Sequence, residues 1–406
     1  MLAQLLQDDD IRLVAVRGGI GAVPGVRCAG VHAGIKPRKR DLALIVFDAP
    51  QVCASVITLN EIKAAPLLVS EDHLGRGGTM RAIVCNSGCA NACTGERGDR
   101  DARATARQTG ALLKIPATSI IVASTGVIGV PLPMDRVQRG VERAVEQLEN
   151  GLKSSNDAAE AIMTTDRVPK LAAYEFYIGE KKYAVGGIAK GSGMIAPNMA
   201  TMLAFVATNL PMPADALRAE LREAADGTFN MISVDGCMST NDACYAFAPA
   251  GEKKPHAAFS KALRQVCTDL ALAMVADGEG ATKTLTVHVT GAKDVAQART
   301  IGRASINSNL VRTALYGEDP NWGRIIAAAG SVNAGLDPNT WSLLLNGKMW
   351  VEPGAIEVLS EAEAHRELEL TDIIVELRLG LGEAHATAWG CDLSKDYVRI
   401  NASYRT

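Results

Sequence analysis

The residues best suited by type to do chemistry lie in the stretch Lys190 to Phe205, KGSGMIAPNMATMLAF. Its Gly, Pro and Asn make the first half a loop, whereas Thr201 to Ala207 reads as a buried strand. The loop therefore delivers Thr201 to the start of a strand. If the bond between Ala200 and Thr201 is cut, the freed α-amine lies beside the hydroxyl of the same residue. An amine of that kind titrates near pH ~8 and can act as the base for the hydroxyl. The β-branch of threonine restricts χ1 and holds the oxygen in place. Two other readings of the loop stand beside this one. Gly191-Ser192-Gly193 is also an ordinary tight turn, or a phosphate cradle that lacks the further glycine and the Lys-Ser/Thr pair of phosphate-binding loops.

Four further places carry groups such a nucleophile would need. Ser124-Thr125-Gly126-Val127-Ile128-Gly129 follows an apolar run, and a Thr-Gly turn at a strand end can aim a hydroxyl and a backbone N–H at one point, as an oxyanion requires. Met163-Thr164-Thr165-Asp166 reads as a helix end followed by a polar turn. Glu279 sits between Gly278 and Gly280 at the end of a long helical pattern, on approachable backbone. Tyr397 to Asn401 alternates like a strand close to the chain end. Cys85, Cys89 and Cys93 are four apart, but Asn86-Ser87-Gly88 argues against the continuous helix a metal site there would need. The six histidines are scattered and form no HExxH or HxxxH pair.

The elements that must position these residues are layered α/β. Leu42 to Phe47, Ala82 to Cys85 and Ile120 to Ala123 suit buried strands, and Val137, Val141, Val145 and Leu148 mark one face of a helix. Tyr174 to Ile178 and Tyr183 to Gly187 flank Gly179-Glu180 as a hairpin that leads into the Lys190 loop. Helices are expected over Asn156 to Ile162, Ala214 to Ala225 and along Phe259, Leu263, Val266, Leu270 and Met274. A second, smaller α/β unit is expected beyond about residue 285, with strands at Thr284 to Val289 and Ile373 to Leu379 and a type I′ hairpin at Asn346-Gly347. The domains expected are 1–285, 286–395 and a tail over 396–406, which the family resemblance described below brings back to the active site. The role of Glu318 to Arg324 is not legible from residue chemistry.

Composition limits what these elements can serve. With 406 residues, 48% apolar and 4% aromatic, the chain can build two substantial cores. A net charge of −3 gives no electrostatic reason to expect nucleic acid or an anionic membrane as partner. No apolar run approaches the ~20 residues of a membrane span, and MLAQLLQDDD is unlike a signal peptide, so the cytoplasm is the expected compartment. Nine cysteines, an odd number, fit reduced thiols better than a disulfide framework.

The string KGSGMIAPNMATMLAF resembles the self-cleavage segment of the ornithine acetyltransferase family, the glutamate N-acetyltransferases of arginine biosynthesis. The resemblance extends through AGIKPRKRDLAL, NSGCANACTGERG, STGVIG, SVDGCMSTNDA and the terminal YVRINASYRT, and so covers nearly the whole chain. It implies an αββα-type fold with a threonine nucleophile, cleavage between Ala200 and Thr201 into α (1–200) and β (201–406) chains, and a heterotetramer of two α and two β. It implies Thr125 and Gly126 as the oxyanion hole, with Thr164, Lys190, Thr201, Glu279, Asn401 and Thr406 binding substrate. Cys89, Cys237 and Arg167 depart from the family pattern, and Arg167 lies close enough in sequence to Thr164 to bear on substrate preference.

The activity implied is transfer of acetyl from N2-acetyl-L-ornithine to L-glutamate through an acyl-threonine, without metal or organic cofactor. Family members that use acetyl-CoA as a second donor and members that do not share these motifs, and use of both donors is the expectation here. Two other functions are weighed against it. One is a self-processing aminopeptidase or amidase that hands the acyl group to water. The other is a non-catalytic nucleotide-binding protein with phosphate at Gly191 to Gly193.

Overall fold

A computed structural model describes residues 11–196, 202–252, 254–354 and 356–403. The proposed cleavage point, Ala200 and Thr201, and the terminal Thr406 lie outside the described residues.

The larger sheet joins nine strands among the described residues. They are β1 (Leu13–Ala15), β2 (Val26–Val31), β3 (Leu42–Ile57), β4 (Met80–Cys89), β5 (Ile120–Val127), β6 (Lys170–Ile178), β7 (Lys181–Lys190), β8 (Leu203–Thr208) and β9 (Ala243–Pro249). β3 is the hinge of the arrangement. Its first part pairs with β2 and β4, its register shifts between Val46 and Gln51, and its second part pairs with β9. One strand thus belongs to two leaves, β2-β3-β4-β5 and β1-β6-β7-β8-β9-β3.

The leaves face each other across a core that contains Ile45, Phe47, Ile83, Ile188, Phe205 and Tyr245. Phe47 packs on Phe247 with ring centroids 4.7 Å apart, so the second leaf meets the first through aromatic contact. Helices cover both outer faces. α2 (Gly95–Leu113) and α3 (Met134–Glu146) place Ala102, Ala106, Val137 and Val141 on the outside of the first leaf. α5 (Ala214–Gly227) and α6 (Ala257–Ala276) place Leu217, Leu221, Phe259 and Leu263 on the outside of the second. The layers run α, β, β, α, and both faces of β8 are covered, which is why Leu203–Thr208 is buried throughout and shows no polar alternation. Between them, α1 (Ala65–Gly75) lies against β5, and α4 (Leu152–Ile162) lies against β2 with Ala158 and Ile162 in the inter-leaf core.

The second sheet has the order β13-β12-β11-β14-β10-β15. It comprises β10 (Thr284–Ala292), β11 (Ser342–Leu345), β12 (Lys348–Glu352), β13 (Ile356–Glu357), β14 (Asp372–Arg378) and β15 (Ala384–Cys391). The Asn346-Gly347 turn has the expected positive φ at both residues, +47° and +81°. α7 (Val295–Asn307), α8 (Asn309–Tyr316), α9 (Trp322–Gly330) and α10 (Glu361–Leu368) supply Ile301, Leu315, Ile325 and Leu368 to its core. Within the segment Glu318 to Arg324, Glu318 forms an ion pair with Lys283 at 3.0 Å and Asp319 with Arg324 at 3.3 Å. That segment therefore ties the head of β10 to the helices over the second sheet. Arg312 joins the units, its guanidinium donating to the carbonyls of Val234, Cys391 and Asp392.

One expectation fails at the chain end. Tyr397 to Asn401 is not a strand; it lies in α11 (Lys395–Ala402). Ser394 starts the helix by accepting the Tyr397 amide, an N-cap that the period-two pattern conceals. The helical spacing matters, because residues four apart share a face and Tyr397 and Asn401 turn inward together.

Candidate active site

β7, β8 and β9 run side by side, and the site forms where the ends of β5 and β7 approach them. Lys190 is the last residue of β7 and pairs with Leu203 of β8. Its ammonium, on a side chain only 3% exposed, donates to the Thr164 hydroxyl at 2.9 Å and lies 3.5 Å from the Thr125 hydroxyl. A lysine so deep requires nearby negative charge. Asp166 supplies it. Burial pushes the Asp166 carboxyl up, but Lys190 and Lys170 more than offset that and hold it at about 2. Lys170, itself buried, bridges Asp166 and Asp277 at 2.7 Å each, and Arg167 closes the chain on Asp277 at 3.0 Å. Lys190 thus sits at the inner end of a string of alternating charges, with Arg167 at the outer, exposed end.

Thr125 and Gly126 are not in a turn after β5, as the sequence suggests, but inside it, parallel to Ser87 and Gly88 of β4. Gly126 has φ +132°, and a Cβ there would lie 2.4 Å from the Gly88 carbonyl carbon. Only glycine fits. A register shift at Gly88 and Cys89 bends β4 at this point, and Asn86 holds the bend by donating to the Cys89 carbonyl and accepting the Ser124 hydroxyl.

Glu279 is 9% exposed, and its carboxylate packs against Gly193, where a Cβ would come within 2.4 Å of the Glu279 Cδ. The Glu279 amide donates to the Ser192 carbonyl at 2.7 Å, and Asn401 donates to the carboxylate at 2.7 Å. α11 therefore reaches the site through Asn401, while Tyr397 on the same face donates to Asp235 at 3.3 Å.

Thr125, Gly126, Thr164, Lys190, Glu279 and Asn401 line one cavity of about 90 Å³. Of the residues that the resemblance assigns to oxyanion or substrate binding, those among the described residues are all here. The cavity carries a cation at Lys190, a carboxylate at Glu279, two threonine hydroxyls and an amide. That set matches a small zwitterion better than a phosphate. The Gly191 amide, which a phosphate cradle would use, is already taken by the Asp166 carboxylate at 2.7 Å, a negative charge that repels a phosphate. Arg167 and the thiols of Cys89 and Cys237 do not line the cavity.

Sequence reasoning missed several members of this neighbourhood. Lys36 donates to the Met163 carbonyl at 3.0 Å, and its stem packs on Gly88. Burial, with smaller effects of opposite sign from Asp41 and Lys39, lowers its ammonium to about 8. Asp242 is wholly buried, and burial pushes its carboxyl well above the usual range. Lys36 and Asp242 lie in AGIKPRKRDLAL and SVDGCMSTNDA, so the strings were visible though their functions were not.

Comparison with known proteins gives a consistent result. The family model described as ArgJ family matches residues 27–406. An arginine biosynthesis bifunctional protein ArgJ from Symbiobacterium thermophilum is 46% identical over 400 residues, covering 96% of this chain and 99% of that one. A counterpart from Bacillus cereus is 43% identical over 397 residues, covering 96% and 97%. Among solved structures, ornithine acetyltransferase complexed with ornithine from Mycobacterium tuberculosis is 42% identical with a TM-score of 0.43, covering 46% of this chain and 98% of that one.

Proposed function

The chain belongs to the ArgJ family and is an acyltransferase of arginine biosynthesis; we propose that it moves the acetyl group of N2-acetyl-L-ornithine to L-glutamate. The observation that carries this reading is the meeting in one cavity of Thr125, Gly126, Thr164, Lys190, Glu279 and Asn401, drawn from both sides of the proposed cut.

The chain cuts itself between Ala200 and Thr201, and Thr201 becomes an amino-terminal nucleophile. Its hydroxyl oxygen attacks the acetyl carbonyl carbon while its α-amine takes the hydroxyl proton. The negative charge that develops on the carbonyl oxygen is met by the Thr125 hydroxyl and the Gly126 amide. Collapse breaks the bond from carbon to N2, the proton passes to the departing nitrogen, and ornithine leaves. The amine of glutamate then attacks the threonine ester, and N-acetylglutamate departs as the hydroxyl is restored. Lys190 and Thr164 suit the carboxylate common to donor and acceptor, Glu279 suits an ammonium group, and Asn401 with Thr406 completes the amino-acid pocket.

This chemistry needs no metal or organic cofactor, because nucleophile, base and oxyanion donors are all supplied by the chain. Acetyl-CoA enters only as a second donor substrate, which makes the enzyme bifunctional. The α and β fragments stay together and pair as a heterotetramer. The reaction belongs in the cytoplasm, a reading supported by nine cysteines that are all free thiols. Among the described residues no helix is long and apolar enough to cross a membrane.

Incubation with N-acetylornithine and glutamate is the test. Ornithine and N-acetylglutamate should appear in equal amounts, whereas ornithine with free acetate would replace the transferase by an amidase. Release of CoA from acetyl-CoA and glutamate tests the second donor, and absence of release above background removes it.

A further inference from the structure

The turn Ser239-Thr240-Asn241-Asp242 has no part in the reading above, yet it is the most conspicuous polar segment inside the protein. Each of its four side chains is less than a tenth exposed. Connecting segments normally run over the surface, because buried polar groups are costly unless all are partnered. Here they are. Asp242 accepts the Met202 amide on one oxygen at 3.1 Å and the Ser239 amide on the other at 3.2 Å. Asn241 donates to the carbonyls of Ala90 at 2.7 Å and Ser124 at 2.8 Å, and accepts from the Thr240 hydroxyl at 2.6 Å. Thr58 pins the turn from β3's side, its hydroxyl donating to the Ser239 carbonyl at 2.8 Å and its amide to the Asp242 carbonyl at 2.9 Å.

Each partner has a particular neighbour. Met202 is bonded directly to Thr201, and Ser124 directly to Thr125. Met202 is clamped at both ends of its backbone, since its carbonyl also accepts the Ala243 amide at 3.0 Å. A nucleophile that has become a chain end is held covalently from one side only, through Met202. From these contacts we propose that Asn241 and Asp242 are a pair of positioning residues that fix the distance between the nucleophile and the oxyanion donors. Asp242 holds the Met202 backbone, the residue bonded to Thr201, Asn241 holds the strand that carries Thr125 and Gly126, and the two are adjacent in one turn. Although Asn241 borders the cavity, both of its N–H donors are spent on carbonyls, so it acts through the strand and not on substrate. Attack and oxyanion stabilisation both depend on this distance, and a displacement of about 1 Å can cost ~10²-fold in rate.

The proposal rests on Thr201 as nucleophile, and its test separates the two ideas. Asp242→Asn keeps the shape but leaves one acceptor for two N–H groups, and Asn241→Ala releases the Ser124 and Ala90 carbonyls. In the full-length enzyme each variant should lower kcat for acetyl transfer by about 10- to 100-fold while KM for acetylornithine and glutamate stays within about threefold of the wild type. The double variant should lose less than the product of the single losses, because both residues set one distance. Asp242→Glu, which retains both acceptor oxygens, should recover part of the kcat lost in Asp242→Asn. Melting temperature and the cleaved fragments on a denaturing gel report whether each variant folds, and if one fails to fold the variants that do fold decide the matter. Folded variants with kcat within threefold of the wild type, or with KM raised and kcat preserved, would overturn the proposal. An inactive wild type would instead remove the acetyltransferase reading itself.

Discussion

The two walls of the cavity are built on different principles. The wall that holds Thr125 and Gly126 is neutral and made of sheet backbone, bent by the Gly88–Cys89 irregularity and fixed by amide hydrogen bonds from Asn86 and Asn241. The opposing set of Lys190, Glu279 and Asn401 is made of long polar side chains steadied by Asp166, Lys170 and each other. Backbone in a packed sheet cannot shift without moving its neighbours, whereas a side chain held by ion pairs can relax. Damage to the first wall should therefore appear in kcat. Damage to the second should appear in KM.

The largest effect is expected at the proposed nucleophile. Thr201→Ala should remain one uncut, inactive chain on a denaturing gel, and Thr201→Ser, which keeps hydroxyl and amine, should still be cut. Efficient cleavage of the alanine variant would assign the cutting to another group.

On the neutral wall, Gly126→Ala must either leave φ +132° or drive its Cβ into the Gly88 backbone. Loss of one oxyanion donor costs ~10²-fold or more in kcat, and a similar loss is expected here with KM little changed. A KM effect of the same size would erase the distinction between the walls.

On the charged wall, Lys190→Met should raise KM for acetylornithine and glutamate together by about tenfold to a hundredfold, as removal of a charge-assisted contact of ~1.5–3 kcal/mol would do. The proposed reaction uses one pocket for both substrates in turn, so an effect on one alone would argue for separate sites.

The charged wall should also show itself in stability. Asp166 has a carboxyl held at about 2 against an ordinary 3.8, so its ionised form stabilises the folded state above about pH 3.8. That contribution, about 2 kcal/mol from the size of the shift, is lost as pH falls through 3.8 towards 2. Thermal melting between pH 5 and pH 3 should fall less steeply for Asp166→Asn than for the wild type. Parallel curves would show that the ion string does not hold the lysine as described.

The smallest effect is expected at the chain end. Deleting Ala402 to Thr406 removes the last residue of α11 but leaves Asn401 in place. Folding and cleavage should be intact, with KM for both substrates raised a few-fold; unchanged kinetics would exclude the tail from the pocket.

The sequence alone determined the local elements and the chemical character of the site. Val and Ile runs marked the buried strands, Asn346-Gly347 marked its hairpin, and the glycines around Glu279 marked the end of α6. Those signals are local, since each depends on the backbone preferences of a few neighbouring residues. Tertiary structure decided what no local signal carries. That β3 serves two leaves depends on pairing partners far along the chain, at Ala243–Pro249. Tyr397 to Asn401 has the alternation of a strand, but the Ser394 cap makes it a helix that turns Asn401 towards Glu279. Thr125 and Gly126 sit within a strand because β4 bends to receive them. Lys190 can be buried only because Asp166 and Lys170 are folded in behind it, for a buried charge is stable only beside partners that the fold alone can bring there.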